Sequence, residues 1–276
     1  MVTSAAAPTL PGASGPGAVH RTGTHERQLL ELHRPAVPAT DGVAVLVHGG
    51  FWRPGAGDGS ETYDRRLGDA VAADLLGRGV AVVLPDYRAV GDGGAWPWTA
   101  VDAAAALDRL VDVLPPAGLD PARCVLVGHS AGGHLATWAA SRHRLPGGAP
   151  GAGPRLAPLA VVSQAGVLDL VAAADADLGR GAAAALLGGS PADVPDRYAV
   201  SSPAALVPAS CPVLCLAGTG DDVVPPDQAE RYAAAATAAG GDVRLVVVEG
   251  EDHRAHLDPT TRSWALARDE VLARLT

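Results

Sequence analysis

The chain has 276 residues, with 21 basic and 30 acidic side chains and a formal net charge of −9 when histidines are neutral. That length fits one α/β domain able to bury most of the surface its unfolded form exposes. Acidity without a basic cluster argues against nucleic acid and anionic membrane as partners and leaves small molecules as the expected ligands.

Hydrophobic residues make up 48% of the chain, yet Phe and Met each occur once, so the core must be aliphatic and a cluster of aromatic residues would mark a pocket wall. Cys124, Cys211 and Cys215 have no metal-ligand spacing and lie in or beside apolar runs, as buried free thiols of a reducing compartment do. No stretch reaches the roughly 20 apolar residues of a membrane span. The first 20 residues have neither a basic n-region nor an apolar h-region, and residues 1–25 hold no periodic pattern. They read as a disordered tail of a cytoplasmic protein, followed by a single domain over 26–276.

Gln28 to His33 alternates apolar and polar residues and predicts an edge strand. Val43 to Val47 is a continuous apolar run, the mark of a strand covered on both faces, and it delivers His48-Gly49-Gly50-Phe51-Trp52. A helix follows over about 64–76, then a buried strand over 80–84 ending in Pro85-Asp86-Tyr87-Arg88, then an Ala-rich helix over about 99–114. Cys124 to Val127 leads into Gly128-His129-Ser130-Ala131-Gly132-Gly133 and a further helix. After a Pro/Gly-rich loop, a strand over 159–163 resumes the alternation, and residues 166–208 break into short helical pieces that suit a small lid. Strands over 213–217 and 243–248 flank a helix over about 226–239, and a helix over 262–275 closes the chain. Strands separated by helices imply a mostly parallel sheet with helices on both faces, whose ligands bind at the carboxyl ends of the strands.

Four motifs sit at those ends. Gly128-His129-Ser130-Ala131-Gly132 is a nucleophile elbow: a serine on a sharp strand-to-helix turn needs small residues two positions to either side, and the turn aims the Ala131 N–H and the helix N-terminus at developing negative charge. His48-Gly49-Gly50-Phe51-Trp52 can turn backbone amides inward, which marks Gly50 and Phe51 with Ala131 as oxyanion-hole donors and leaves His48 to organise the loop. Gly218-Thr219-Gly220-Asp221-Asp222 offers two carboxylates, of which Asp221 is taken as the partner of a base and Asp222 as a turn or capping residue. His253, in Gly250-Glu251-Asp252-His253-Arg254, is the candidate base, with His256 its rival. The order Ser130, Asp221, His253, one at each strand end, is that of an α/β-hydrolase triad.

On these motifs the chain resembles the α/β-hydrolases of the esterase/lipase superfamily, and within them the kynurenine formamidases and related small carboxylesterases. The resemblance spans about residues 28 to 276, with His-Gly-Gly-aromatic-Trp at 48–52, the elbow at 128–133, Asp221-Asp222-Val223-Val224-Pro225, and His253 with Asp258-Pro259 downstream. It implies hydrolysis of esters or aryl formamides without a cofactor, with Ser130 as nucleophile, Asp221 as acid and His253 as base. Arg254 stands where many relatives carry an aromatic residue, so a polar pocket wall is expected beside the base. Trp52, Tyr87 and Trp96, with Trp98 nearby, lie on loops after strands and are the expected substrate-binding residues. Two other readings start from the same fold, a non-catalytic ligand-binding protein and a small peptidase; an intact triad argues against the first, and the short insertion with no preceding propeller domain against the second.

Overall fold

The structure is a computed structural model that describes residues 7–276. Eight strands, β1 (Ala18–Arg21), β2 (Leu29–His33), β3 (Val43–Val47), β4 (Ala81–Pro85), β5 (Cys124–His129), β6 (Ala160–Gln164), β7 (Val213–Gly218) and β8 (Val243–Val248), form one sheet in the order β1-β2-β4-β3-β5-β6-β7-β8. From β4 to β8 every neighbouring pair is parallel, while β2 runs antiparallel to both β1 and β4. Strands β2 to β7 are buried at every position, which is why β3 and β4 read as unbroken apolar runs; the edge strand β8 is partly exposed along most of its length.

Helices α1 (Asp69–Gly77) and α8 (Arg262–Leu275) cover one face, with Val71, Leu75, Trp264 and Val271 packed on Leu46, Val127 and Leu216. Helices α2 (Trp98–Val113), α3 (Ala131–Ser141) and α7 (Asp227–Ala238) cover the other. This is the α/β-hydrolase fold expected from the alternation of elements. Between β6 and β7, residues 166–208 fold into α4 (Leu170–Asp175), α5 (Ala182–Leu187) and α6 (Pro195–Ser201). Two side chains of α3 fasten this insertion to the core, the Trp138 indole donating to the Val200 carbonyl and His134 Nε2 to the Ser201 carbonyl, each at 2.9 Å.

The chain before residue 26 departs from expectation. Residues 1–6 of the predicted tail lie outside the described residues, but from residue 7 onward the segment is ordered: Leu10 is buried in the apolar cluster with Leu75 and Leu76, and β1 pairs with β2 from Ala18↔Leu32 to Arg21↔Leu29. Strand β2 is therefore an inner strand and not the edge. Its polar residues are buried too, Glu31 between Arg65, Arg66 and His33, so its alternation does not mark a solvent face. Cys124 and Cys215 are buried and Cys211 partly so, all as free thiols. Among the described residues no helix is long and apolar enough to cross a membrane.

Candidate active site

Ser130 sits between β5 and α3 with φ 57° and ψ −120°, a strained conformation for a residue with a side chain. The turn is held from both sides: Ser130 N–H donates to the Gln164 carbonyl of β6 at 2.8 Å, and the Ser130 carbonyl accepts from His134 N–H at 3.1 Å. Neither flanking glycine has room for a side chain. A Cβ on Gly128 would lie 2.2 Å from the Gly132 carbonyl oxygen, and one on Gly132 would lie 2.0 Å from that of Val47.

The loop leaving β3 runs alongside this turn, and a Cβ on Gly49 would come within 3.0 Å of Ser130 Cβ. His48 anchors the loop from below. Its Nδ1 donates to the Gly49 carbonyl at 2.8 Å, its Nε2 lies 3.1 Å from Asp86 Oδ1, and its ring stacks on Tyr87 at 4.3 Å between centroids. Burial pushes the Asp86 carboxyl up, but the His48 hydrogen bond and the neighbouring Arg27 outweigh it and hold Asp86 below the usual carboxylate range. Phe51 and Trp52 follow, both in left-handed backbone conformations at φ 56°. Among the described residues the N–H groups of Gly50, Phe51 and Ala131 donate to no protein acceptor. Phe51 and Ala131 line one cavity with Ser130; Gly50 does not reach it.

Asp221 follows β7 and His253 follows β8, and parallel pairing of the two strands brings them together. His253 Nδ1 donates to Asp221 Oδ2 at 2.7 Å. The other carboxylate oxygen of Asp221 accepts from the Val223 and Val224 amides at 2.9 and 2.8 Å. Burial opposes ionisation of Asp221, yet the His253 hydrogen bond and those amides bring its pKa below the ordinary value. Asp222 is exposed and takes no part. His256, the rival base, is fully buried with both ring nitrogens unpartnered, and burial pushes it down to about 4. No hydrogen bond joins the Ser130 hydroxyl to His253 among the described residues, a gap common in unliganded sites that tighten around substrate.

The cavity at Ser130 is tight, with about 10 Å³ of open space, and is almost wholly apolar, with Trp52, Val167, Leu178 and Val224 among its walls. Helices α4 and α5 of the insertion contribute Ala173, Ala182 and Ala183. The Phe51 ring lies over Gly179, where a Cβ would come within 2.4 Å of Phe51 Cδ1; both residues also line a second, open cleft of about 1090 Å³ on the outer side.

The BD-FAE family model matches residues 30–235, about three quarters of the chain. The chain belongs to the BD-FAE family. Among solved structures, this BD-FAE member is similar to a truncated carbohydrate esterase from gut microbiota (21% identity, TM-score 0.77, covering 97% of this chain and 99% of that one). It is similar also to esterase B from Lactobacillus rhamnosis in a phosphonate-inhibited form (20% identity, TM-score 0.79, 96% and 86%). A third similar structure is the thermophilic esterase 2 of the planctomycete Thermogutta terrifontis (24% identity, TM-score 0.69, 97% and 92%). None of the curated proteins matches the chain.

The aromatic residues of this BD-FAE member are not arranged as the sequence implied. Trp52 does line the Ser130 cavity, but its indole N–H donates to His134 Nδ1 at 3.2 Å, so it presents a fixed wall. Tyr87 is 1% exposed and its hydroxyl donates to the His48 carbonyl at 2.8 Å, which leaves no surface for a ligand. Trp96 lines a separate cavity with Leu135 and Trp138, and Trp98 lies out at the surface against Arg88. A position just after a strand does not say which way a ring turns; the polar tips of Trp52 and Tyr87 found buried partners. Arg254 is no pocket wall either, since both its terminal nitrogens bind the Glu61 carboxylate at 2.9 and 2.6 Å. The alanines of the insertion carry no signal of a binding role in sequence; only the weak helical pattern over 166–208 hints at them. Among the described residues no group of three or more His, Cys, Asp or Glu is placed to hold a metal ion.

Proposed function

We propose that this chain is a serine esterase that cleaves small carboxylic esters through an acyl-enzyme. The observation that carries the reading is the Asp221–His253 hydrogen bond at 2.7 Å, made on the loops after β7 and β8 at the same end of the parallel sheet as the strained Ser130. The match to the BD-FAE family and the likeness to three esterases of the same fold support it.

In this mechanism Ser130 Oγ attacks the substrate carbonyl carbon while His253 Nε2 takes its proton, and Asp221 fixes the tautomer and stabilises the imidazolium. The tetrahedral oxyanion is held by the free amides of Phe51 and Ala131, with Gly50 N–H one residue back on the same turn. His253 then gives the proton to the departing alcohol, and water, activated by the same histidine, releases the acid. The alanine-lined inner cavity suits a short acyl chain.

An aryl formamide would fit the same arrangement, because formyl is the smallest acyl group and the Phe51 and Tyr63 rings, 6.3 Å apart, flank the outer cleft. Rates on N-formylkynurenine compared with phenyl acetate rank the two substrate classes. The nucleophile is tested with p-nitrophenyl acetate and a fluorophosphonate probe. Turnover and labelling at Ser130 are expected, and Ser130→Ala should lose about 10³-fold or more in kcat. Undiminished hydrolysis in that variant rejects the mechanism, and absence of turnover in the wild-type chain favours a non-catalytic binding protein.

A further inference from the structure

The outer cleft carries positive charge that nothing in the fold uses. Arg53 and Arg180 line it, and neither forms an ion pair among the described residues, although the chain has an excess of carboxylates. Arg53 is half-buried and already oriented: one terminal nitrogen donates to the Arg180 carbonyl at 3.0 Å, and its guanidinium lies 5.9 Å from the centroid of the Phe51 ring. A guanidinium has five N–H donors, so most of the fork remains open. Of the acidic groups of the cleft only Glu61 is neutralised by an ion pair; Asp58 keeps its charge, and the two arginines outnumber it by one. Asp58 accepts from the Ser60 amide and hydroxyl, and Glu61 is clamped by Arg254.

That clamp also orients the cleft. It ties the loop containing Glu61 to the residue next to His253, while Phe51 and Gly179 separate the cleft from the apolar cavity at Ser130. Ser130 and His253 do not line the cleft themselves, so the Arg254–Glu61 pair is the link: with the acyl group in the inner cavity, an alcohol portion directed to the side of His253 would meet this cleft.

Resting on the esterase reading, we propose that the outer cleft is a leaving-group subsite for a carboxylate: Arg53, seconded by Arg180, binds an anionic group carried on the alcohol portion of the ester. Arginine suits this role because its planar fork matches a carboxylate in two hydrogen bonds.

The test uses acetates of one acyl group and two kinds of leaving group. The acetyl esters of 3-hydroxybenzoate, 4-hydroxybenzoate and 4-hydroxyphenylacetate are each compared with the corresponding neutral amide, after correction for the rate with hydroxide. In the best-fitting pair, kcat/KM should favour the carboxylate by about fivefold or more at low ionic strength. The ratio should approach about one in roughly 1 M NaCl, and in the doubly substituted R53Q/R180Q chain. The salt series needs only the wild-type chain, so the proposal can be judged even if the variant fails to fold. Wild-type ratios near one across all three pairs, or a preference that survives in a folded double variant, overturn the subsite and leave the esterase reading standing. Absence of turnover on every acetate, or turnover retained in Ser130→Ala, overturns both.

Discussion

His129 holds His253 by its main chain and not by its ring. The Nε2 of His129 lies 2.9 Å from the His253 carbonyl oxygen, an acceptor only, so Nε2 carries the proton; the two rings stand 4.5 Å apart. Burial, with His253 and His256 nearby, keeps the His129 pKa well below its ordinary value, so the latch is a neutral imidazole. Because His129 directly precedes Ser130, one hydrogen bond ties the end of β5 to the loop after β8. His129→Phe, which keeps a ring and loses the donor, is expected to lower kcat on p-nitrophenyl acetate about tenfold, the equivalent of about 1.4 kcal/mol. KM should move less than about twofold, and His129→Gln, which restores an N–H, should recover part of the rate. Steady-state kinetics on the three chains would show a purely structural role if kcat is unchanged.

The two adjacent carboxylates after β7 should differ sharply. Asp221 accepts from His253 and from two backbone amides, whereas Asp222 is exposed. Asp221→Asn is expected to reduce kcat by about 10⁴-fold, because an amide at this position favours the wrong tautomer of the base. Asp222→Asn should stay within about twofold of wild type. Thermal unfolding of both variants separates loss of catalysis from loss of fold.

How far the sequence carries depends on whether chemistry is written into adjacent residues or arises from distant ones. The buried strands β3 to β7 are legible because a strand covered on both faces must be apolar throughout. The elbow is legible because a Cβ at Gly128 or Gly132 would fall about 2 Å from a backbone oxygen, which imposes glycine at both. Asp221 and His253 are legible as neighbours because parallel strands deliver their following loops to one rim. Strand β1 is not, since Ala-Val-His-Arg has neither length nor a clean alternation and its pairing depends on the presence of β2. Helix α6 is missed because seven residues beginning with Pro-Asp give too few turns for a period to appear. The orientations of Trp52, which lines the Ser130 cavity, and of Tyr87, which does not, are not legible because their partners, His134 and the His48 carbonyl, are 82 and 39 residues away in the chain.

The contact between Phe51 and Gly179 should limit both chain length and rate. Gly179 has φ +61°, and an added Cβ would press into the Phe51 ring, whose amide is a proposed oxyanion donor. Gly179→Ala is expected to cost about 1 kcal/mol of stability from the left-handed backbone. Displacement of Phe51 should lower kcat/KM on p-nitrophenyl acetate about tenfold. In the unaltered chain, acetyl esters should exceed octanoyl by about tenfold or more in kcat/KM, because the inner cavity leaves only about 10 Å³ of open space. A flat profile from acetate to octanoate would mean that the acyl chain does not enter this cavity.

His134 should give the protein an acid limb of instability above the range where most carboxylates titrate. Its ring is used at both nitrogens: Nδ1 accepts from the Trp52 indole at 3.2 Å and Nε2 donates to the Ser201 carbonyl at 2.9 Å. Only the neutral tautomer protonated at Nε2 can do both. Burial lowers its pKa to about 4 from an ordinary 6.5. Since the folded value lies below the unfolded one, the stability tied to the neutral ring is fully present above about pH 6.5. It declines as pH falls toward about 4, where the unfolded chain binds the proton more readily than the folded one. Over that window the loss from His134 alone is on the order of 3 kcal/mol. Protonation would also release Trp52 from the wall of the Ser130 cavity, so activity should fall with stability. His134→Gln can accept from Trp52 and donate to Ser201 without titrating, and its denaturation midpoint should vary less with pH than that of the wild type between about pH 6.5 and 4. Equal slopes for the two chains would place the acid sensitivity elsewhere, with His256 the next group to test because burial depresses it to the same value.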